Sequence, residues 1–518
     1  MKLKQLLNKD FWLYFWKHSM GRGLASLLLG VSLLFTYAPF SQSWLSSLAM
    51  AGFLLLLVRN VDAKQAAVMA WWFGFGWFGA GISWVYVSID QFGGLPVFVS
   101  VFLMVLLCGY LALFPALAAW LWHKLRVQAG RYALWLFPLC WLIAEWLRGW
   151  LLTGFPWLSL GYSQTSSTLG NLAPHIGEIG ITVAILTVAI AFAEIILRRK
   201  PEFLIIPVLI YALAWFSPYL NAPDLTGETK RISLVQGNIQ QSLKWNEAQQ
   251  WPNFLTYQDL SRPHYQESDL IIWPESAVTF IEPYAQQALA DLDHRARTHG
   301  VEIITGIIDY DRAQRAYFNS IITLGNTNTP YQYAEANRYQ KHHLLPIGEF
   351  VPFESILRKI GPLFNLPMSS FSRGAPQQTN LTSADMKIAA NICYEVIFSD
   401  YIRTQVEEDT ELLLTISNDS WFGRSHGPHQ HFQIAQMRAR ELARPMLRAT
   451  NNGVTGVIDE VGRVTARLPQ FDAHVLTTDV MLVSGTTFYR QFGTIPAWLL
   501  AILMWLLPST LRKVKNSS

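Results

Sequence analysis

Before about residue 220, and again after 490, apolar residues in this 518-residue chain collect into runs near membrane-spanning length. Crossing a bilayer as a helix takes about 20 apolar residues. No backbone N–H or C=O can stay unpaired there, so such runs must form packed helices. We read spans near 24–40, 44–58, 66–86, 96–122, 132–147, 176–197, 203–220 and 492–508, about eight helices. The second is short and the seventh is interrupted by Pro207. Only 15% of residues are charged and 51% are hydrophobic, whereas soluble chains carry roughly a quarter charged residues. The expected domains are therefore a membrane domain of seven helices over 1–220, a globular domain over 228–485, and an eighth span at 492–508 with a basic tail.

Basic residues orient these spans. With both termini on the inside, the inner segments carry sixteen Lys/Arg, among them Lys2, Lys4, Arg59, Lys64, Lys124, Arg126, Arg198, Lys200, Arg512 and Lys513. The short outer loops (41–43, 87–95, 148–175) carry one, Arg148. This is the positive-inside asymmetry, which leaves long domains out of its count. It puts 228–485 on the outer, periplasmic side of a bacterial-type inner membrane, with cytoplasmic termini. The net charge of +4 then follows from topology, and no nucleic-acid partner is expected. No cleavable leader is expected either, because the first apolar run starts late and lacks a small-residue cleavage pattern. FWLYFW (11–16) reads as an interfacial aromatic anchor or as a continuation of the first helix.

Within 228–485 short β-like runs recur: RISLVQGN, DLIIWPES, VEIITGIID, NSIITLG, MKIAANICYE, ELLLTISND, GVTGVIDEVG and HVLTTDV. Helical patterns over 284–300 and 429–443 interrupt them, which indicates α/β layers. Polar residues follow the strand ends directly: Glu275 after LIIWP, Cys393 after IAANI, Asn418 and Asp419 after LLLTIS. A rigid sheet aims groups at such positions into one crevice.

Of three cysteines, Cys108 and Cys140 lie in apolar runs where the thiol packs as a small hydrophobe. Cys393 lies in the polar domain beside Tyr394 and Glu395. Packing is the plainer reading for it too, but an unpaired thiol in an oxidising compartment invites oxidation. A thiol becomes a nucleophile when a base takes its proton and a cation stabilises the thiolate. Glu275 is the candidate base, against a cap or solvated carboxylate. Lys341 is the candidate cation, against a surface lysine, and its segment ends in a second acid, Glu349. His342 and His343 are adjacent and point apart on a strand, and His426, His429 and His431 lack metal-ligand spacing, so no metal is expected.

WPES, then Lys341 in YQKHHLLPIGEFVP, then Cys393 in ICYE resembles the Glu-Lys-Cys order of the nitrilase superfamily. NDSWFG (418–423), RATNNG (448–453), FPWLSLGY (155–162) and LVQGNIQQSLKW (234–245), with flanking membrane helices, are similar to its membrane-embedded branch, the bacterial apolipoprotein N-acyltransferases. The Ile347-Gly348 pair departs from the aromatic expected before the glycine. The resemblance implies a nitrilase-like αββα sandwich, a membrane phospholipid acyl donor and a diacylglyceryl-apolipoprotein acceptor; a monomer is expected. It also implies that Glu275, Lys341 and Cys393 form the catalytic triad, with Cys393 carrying the acyl group as a thioester, so no cofactor is needed. Lys341, with a backbone N–H near Tyr394, would stabilise the oxyanion. Glu349 would orient Lys341 or the base, and Tyr394 and Glu395 would position Cys393. Trp245, Trp421 and Phe422 are lipid-contacting or gating candidates, with core packing the alternative for each. Glu145 and Arg148, three apart, should pair with each other. A membrane-tethered amidase and a transporter remain as other readings. Ionisable residues are sparse in the helices, and eight helices are excessive for a soluble substrate.

Overall fold

The computed structural model describes residues 19–60, 62–93, 96–220, 224–346, 348–350 and 370–517. The FWLYFW segment and Ile347 lie outside the described residues. The chain divides into two compact units, one drawn from the chain before Leu220 and after Thr494, the other reaching Gly493.

The first unit is helical. Its helices include Ser19–Ser32, Trp44–Leu57, Ala63–Gly81, Val97–Leu111, Leu113–Ala129, Phe137–Trp150, Ala173–Arg198, Ile205–Leu220 and Ile495–Ser517. Among the described residues, three helical stretches are long and apolar enough to cross a membrane: Val97–Val127, Thr168–Arg198 and Pro201–Leu220. The span expected over 24–40 starts earlier and ends in a 3-10 turn, Leu33–Thr36. The span expected over 96–122 is interrupted at Ala112. Pro115 accounts for the break, since it has no N–H to give to the carbonyl one turn back. Small residues let helices approach closely. A Cβ on Gly30 would lie 2.0 Å from Phe73 O, and one on Gly76 would lie 2.2 Å from Leu27 O, the small-residue packing that substitutes for a hydrophobic drive in lipid. Arg148 pairs with Glu145 as expected. It also donates to Phe155 O at 2.7 Å and Trp157 O at 2.6 Å, tying down the FPWLSLGY loop.

The second unit holds two mixed sheets. In the first, β1 (Asp224–Gln236), β2 (Leu270–Ile272), β3 (Val278–Ile281), β4 (Glu302–Asp311), β5 (Ala316–Leu324) and β6 (Arg338–Gln340) join β13 (His474–Ser484), in the order β13-β1-β2-β4-β5-β6 with β3 on β4. The second comprises β7 (Leu381–Ser383), β8 (Met386–Ile392), β9 (Leu412–Ser417), β10 (Met446–Thr450), β11 (Gly456–Ile458) and β12 (Val464–Arg467), in the order β12-β11-β10-β9-β8-β7. Strands β1, β2 and β4 are mutually parallel, as are β8, β9 and β10.

Side-chain alternation with period two explains the layering. Ile232, Leu234 and Ile272 of one sheet and Ile388, Ile392, Leu414 and Leu447 of the other share one core cluster, so the sheets face each other. Val235, Ile271 and Ile303, from the alternate positions, pack instead under Phe254, Leu289 and Leu292 of the helices Gln250–Ser261 and Glu282–His299. The helix Gly427–Leu442 covers β10. Strand β10 was not among the runs expected, because five residues (MLRAT) between Pro445 and Asn451 show no extended alternation. In GVTGVIDEVG only Gly456–Ile458 pairs as strand.

Candidate active site

The chemistry-bearing residues follow the carboxyl ends of strands that are parallel within each sheet. Glu275 comes three residues after β2, Lys341 directly after β6, Cys393 directly after β8 and Asn418 directly after β9. Groups aimed from there meet in the crevice at that end of the sheets.

Glu275 is buried and held on both oxygens. Oε1 accepts from Asn319 Nδ2 at 2.8 Å, and Oε2 accepts from the Asn418 backbone N–H at 2.9 Å. Lys341 Nζ lies 3.6 Å from Oε1. On its other side Nζ contacts Glu349, at 2.9 Å from Oε1 and 2.8 Å from Oε2. Asn319 Nδ2 also donates to Glu349 Oε1 at 2.9 Å, so one amide bridges the two carboxylates. Both neighbours can only accept, which fixes the orientation of that amide. Burial acts to lower the Lys341 pKa, but Glu349, Glu275 and the cysteine outweigh it and hold the ammonium well above its ordinary value.

Cys393 adopts φ +53 at the start of a 3-10 turn, Cys393–Ile397. A non-glycine residue there is strained and persists only where its surroundings over-determine it. Glu395 supplies part of that determination. Oε2 of this buried carboxylate accepts from Ile392 N at 2.8 Å and Tyr339 Oη at 2.7 Å, while Oε1 accepts from His342 N at 2.7 Å and His343 N at 3.0 Å. It thus ties the cysteine turn to the segment carrying Lys341. Burial pushes its pKa up to about 7, against Lys341 and the donors just named. Burial likewise pushes the Cys393 thiol up to about 12, aided by Glu275 and Asp419 and opposed by Lys341. The resting thiol is therefore protonated and electrostatically coupled to a carboxylate and an ammonium.

Tyr394 is buried and packs edge-on to Phe398. Trp245 is partly exposed, its ring 5.8 Å from Lys244 Nζ. Trp421 is exposed, and Phe422 stands edge-on to the His431 ring. His426, His429 and His431 form no metal-type cluster, and none occurs among the described residues.

Sequence reasoning missed Asn319 and Lys244. Lys244 is buried and donates to Glu275 O at 2.9 Å. Burial lowers its pKa to about 8, against Glu275 and Cys393. It sits in the LKW block, where only the tryptophan attracted notice. Nothing in NSIITLG marked its asparagine. Gly306 on β4 was also silent, yet a Cβ there would lie 2.8 Å from Glu275 Cα and 2.6 Å from Ser276 N. Only a glycine lets the Glu275 loop sit that close to the sheet.

Two facing mixed sheets with outer helices, and a glutamate, lysine and cysteine gathered at their strand ends, define an enzyme of the carbon-nitrogen hydrolase class. Residues 231–489 match the carbon-nitrogen hydrolase family. Residues 29–191 match the apolipoprotein N-acyltransferase N-terminal domain. Apolipoprotein N-acyltransferases are similar along nearly the whole chain. The Vibrio cholerae protein is 47% identical over 93% of this chain and 95% of its own. The Shewanella oneidensis protein is 46% identical over 92% and 93%, and that of Photobacterium profundum 44% over 96% of each. The chain belongs to the apolipoprotein N-acyltransferase family.

Proposed function

We propose that this N-acyltransferase moves a fatty acyl group from a membrane phospholipid, through a thioester on Cys393, to the N-terminal amine of a diacylglyceryl-cysteine apolipoprotein, completing lipoprotein maturation. The observation that carries the residue roles is the shared network of Glu275, Lys341 and Glu349 through Asn319, electrostatically coupled to a cysteine on a strained turn.

Glu275 takes the thiol proton as Cys393 Sγ attacks the donor ester carbonyl. Lys341 stabilises the tetrahedral oxyanion; a donor of this kind is worth about 10²–10³ in rate. The C–O bond then breaks, and the lysophospholipid oxygen leaves with the proton held by Glu275. In the second half the acceptor amine attacks the thioester and Glu275 takes its proton. The C–S bond breaks, the amide forms, and the thiolate recovers the proton. One carboxylate thus serves as base and acid in turn. Glu349 keeps Lys341 charged and oriented, Glu395 and Tyr394 hold the cysteine turn, and Trp245, Trp421 and Phe422 line the lipid approach.

The positive-inside asymmetry supports eight spans, a periplasmic 228–485 domain and cytoplasmic termini in the inner membrane. Given phospholipid alone, the purified protein should release about one equivalent of lysophospholipid and stall as acyl-enzyme, the burst of a two-step covalent mechanism. A diacylglyceryl-cysteine peptide with a free amine should discharge it as N-acyl peptide, and an N-blocked peptide should not. Continuous fatty acid release without acceptor would identify a hydrolase instead.

A further inference from the structure

The carbonyl of Cys393 is held by a side chain the scheme above does not use. His431, buried on the helix Gly427–Leu442, places Nε2 3.1 Å from Cys393 O. A carbonyl only accepts, so Nε2 carries the proton. On the other side of the ring, Arg448 Nη2 lies 2.9 Å from Nδ1. A guanidinium only donates, so Nδ1 is bare. Burial, helped by the Arg448 charge, lowers the His431 pKa against the pull of Asp419, in keeping with a neutral ring. Asp419 Oδ1 lies 3.2 Å from the same Nδ1, but a proton there would face the guanidinium. The carboxylate accepts instead from Arg448 Nη2, at 2.9 Å and 3.1 Å, and from Ser417 Oγ at 2.7 Å. A Cβ on Gly453 would lie 2.3 Å from Asp419 Oδ2, so the RATNNG block closes tightly over this pair. The chain of contacts runs Asp419, Arg448, His431, Cys393 carbonyl.

We propose that His431 is a positioning residue for acyl transfer: its Nε2–H, aligned by the Arg448–Asp419 pair, fixes the Cys393 carbonyl and with it the left-handed turn that aims Sγ at the acyl carbonyl. Glu395 holds the Ile392 N–H, one residue ahead of the nucleophile, and His431 holds the carbonyl of the nucleophile itself, so the turn has a buried clamp before it and another within it. The role acts on the geometry of attack, not on donor affinity. It therefore appears in kcat for acylation and not in KM. This inference rests on Cys393 being the nucleophile.

The test follows thioester formation by rapid quench and intact-protein mass spectrometry, using full-length protein in lipid nanodiscs with phospholipid. His431→Phe keeps the ring and removes the donor. It should slow acylation about ten- to hundredfold, the cost of leaving a buried carbonyl unsatisfied, with the phospholipid KM unchanged. His431→Gln, which returns an N–H near the position of Nε2, should recover to within about fivefold of wild type. Acylation of the Phe variant at the wild-type rate overturns the proposal, as does a Gln variant no faster than Phe at equal thermal midpoints, or a change confined to KM. Should either variant not fold, ¹⁵N-histidine NMR of the wild-type protein decides. A neutral Nε2–H tautomer at pH 7 supports the role, and an Nδ1–H tautomer or an imidazolium overturns it. Wild-type protein that forms no thioester on Cys393 overturns the nucleophile assignment and this inference with it. A normal wild-type thioester with an unaffected Phe variant overturns the role of His431 alone.

Discussion

Asn319→Asp changes one atom's chemistry and should disable the proposed base without touching it. In the native site the Asn319 amide donates to Glu275 Oε1 at 2.8 Å and to Glu349 Oε1 at 2.9 Å. Its Oδ1 is buried with no hydrogen-bond partner among the described residues. The substitution removes two hydrogen bonds to charged groups, each worth about 1.5–3 kcal/mol. It also puts a third carboxylate about 3 Å from two others, where unit charges at an effective dielectric of about 20 repel by roughly 5–6 kcal/mol per pair. Among the described residues, Lys341 is the one ammonium paired with these carboxylates, and it already serves both glutamates. The cheaper outcome is uptake of a proton shared among the carboxylates, whose apparent pKa values rise. At pH 7 the proton then occupies the site where Glu275 must receive one. Acyl-enzyme formation should fall by at least about 10³, since even 4 kcal/mol is nearly three powers of ten. The sign follows from the raised pKa. Activity should recover as pH rises through it, while stability should decline over the same interval because the protonated cluster is the better-packed one. Asn319→Leu, which loses the bonds but adds no charge, should be impaired less and show no such recovery. The assay is rapid-quench lysophospholipid release between pH 6 and 9, with a thermal midpoint at each pH. A wild-type burst rate for Asn319→Asp at pH 7, or a deeper loss in Asn319→Leu, would refute the reasoning.

Cys393→Ala should abolish thioester formation by mass spectrometry, whereas Cys108→Ala and Cys140→Ala should retain it. Loss of thioester in either of those two, with normal function in Cys393→Ala, would refute the nucleophile assignment. Gly306→Ala should reduce acylation more than a hundredfold with Glu275 still present, because its Cβ would meet Glu275 Cα at 2.8 Å. A wild-type burst rate would show that the loop yields freely. Asp419 is held below the usual carboxylate range: burial acts to raise it but is outweighed by the Arg448 guanidinium, with help from the Ser417 hydroxyl. A depressed pKa stabilises the folded state above the unfolded value, near pH 4, and that contribution is lost as pH falls below it. Asp419→Asn should therefore lower the thermal midpoint at pH 7 and do so progressively less toward pH 3; an equal loss at both would contradict the pairing. Reporter fusions after residue 240 should be active only when the reporter works outside the cytoplasm, and a signal from a cytoplasm-only reporter would overturn the topology.

The sequence by itself determined much of this protein, wherever a physical constraint acts locally. Membrane-length apolar runs allow helices only, and the first unit is helical; the orientation proposed for those helices rests on the basic asymmetry along the chain. Period-two runs ending in Glu275 and Cys393 announced strands with polar residues at their carboxyl ends, and Glu, Lys and Cys in order pointed to acyl chemistry. The tertiary structure decided what depends on residues far apart in sequence. Asn319 reads as an ordinary strand residue until the fold sets it between Glu275 and Glu349, residues 44 and 30 positions away. His431 looked like one member of a loose histidine cluster until its helix placed Nε2 on the Cys393 carbonyl. Lys244 was hidden beside a conspicuous tryptophan, and β10 was too short to show its period. Local patterns report which face a residue presents to the core. Which atoms meet across two sheets is set by how the layers stack, and that is a property of the whole fold.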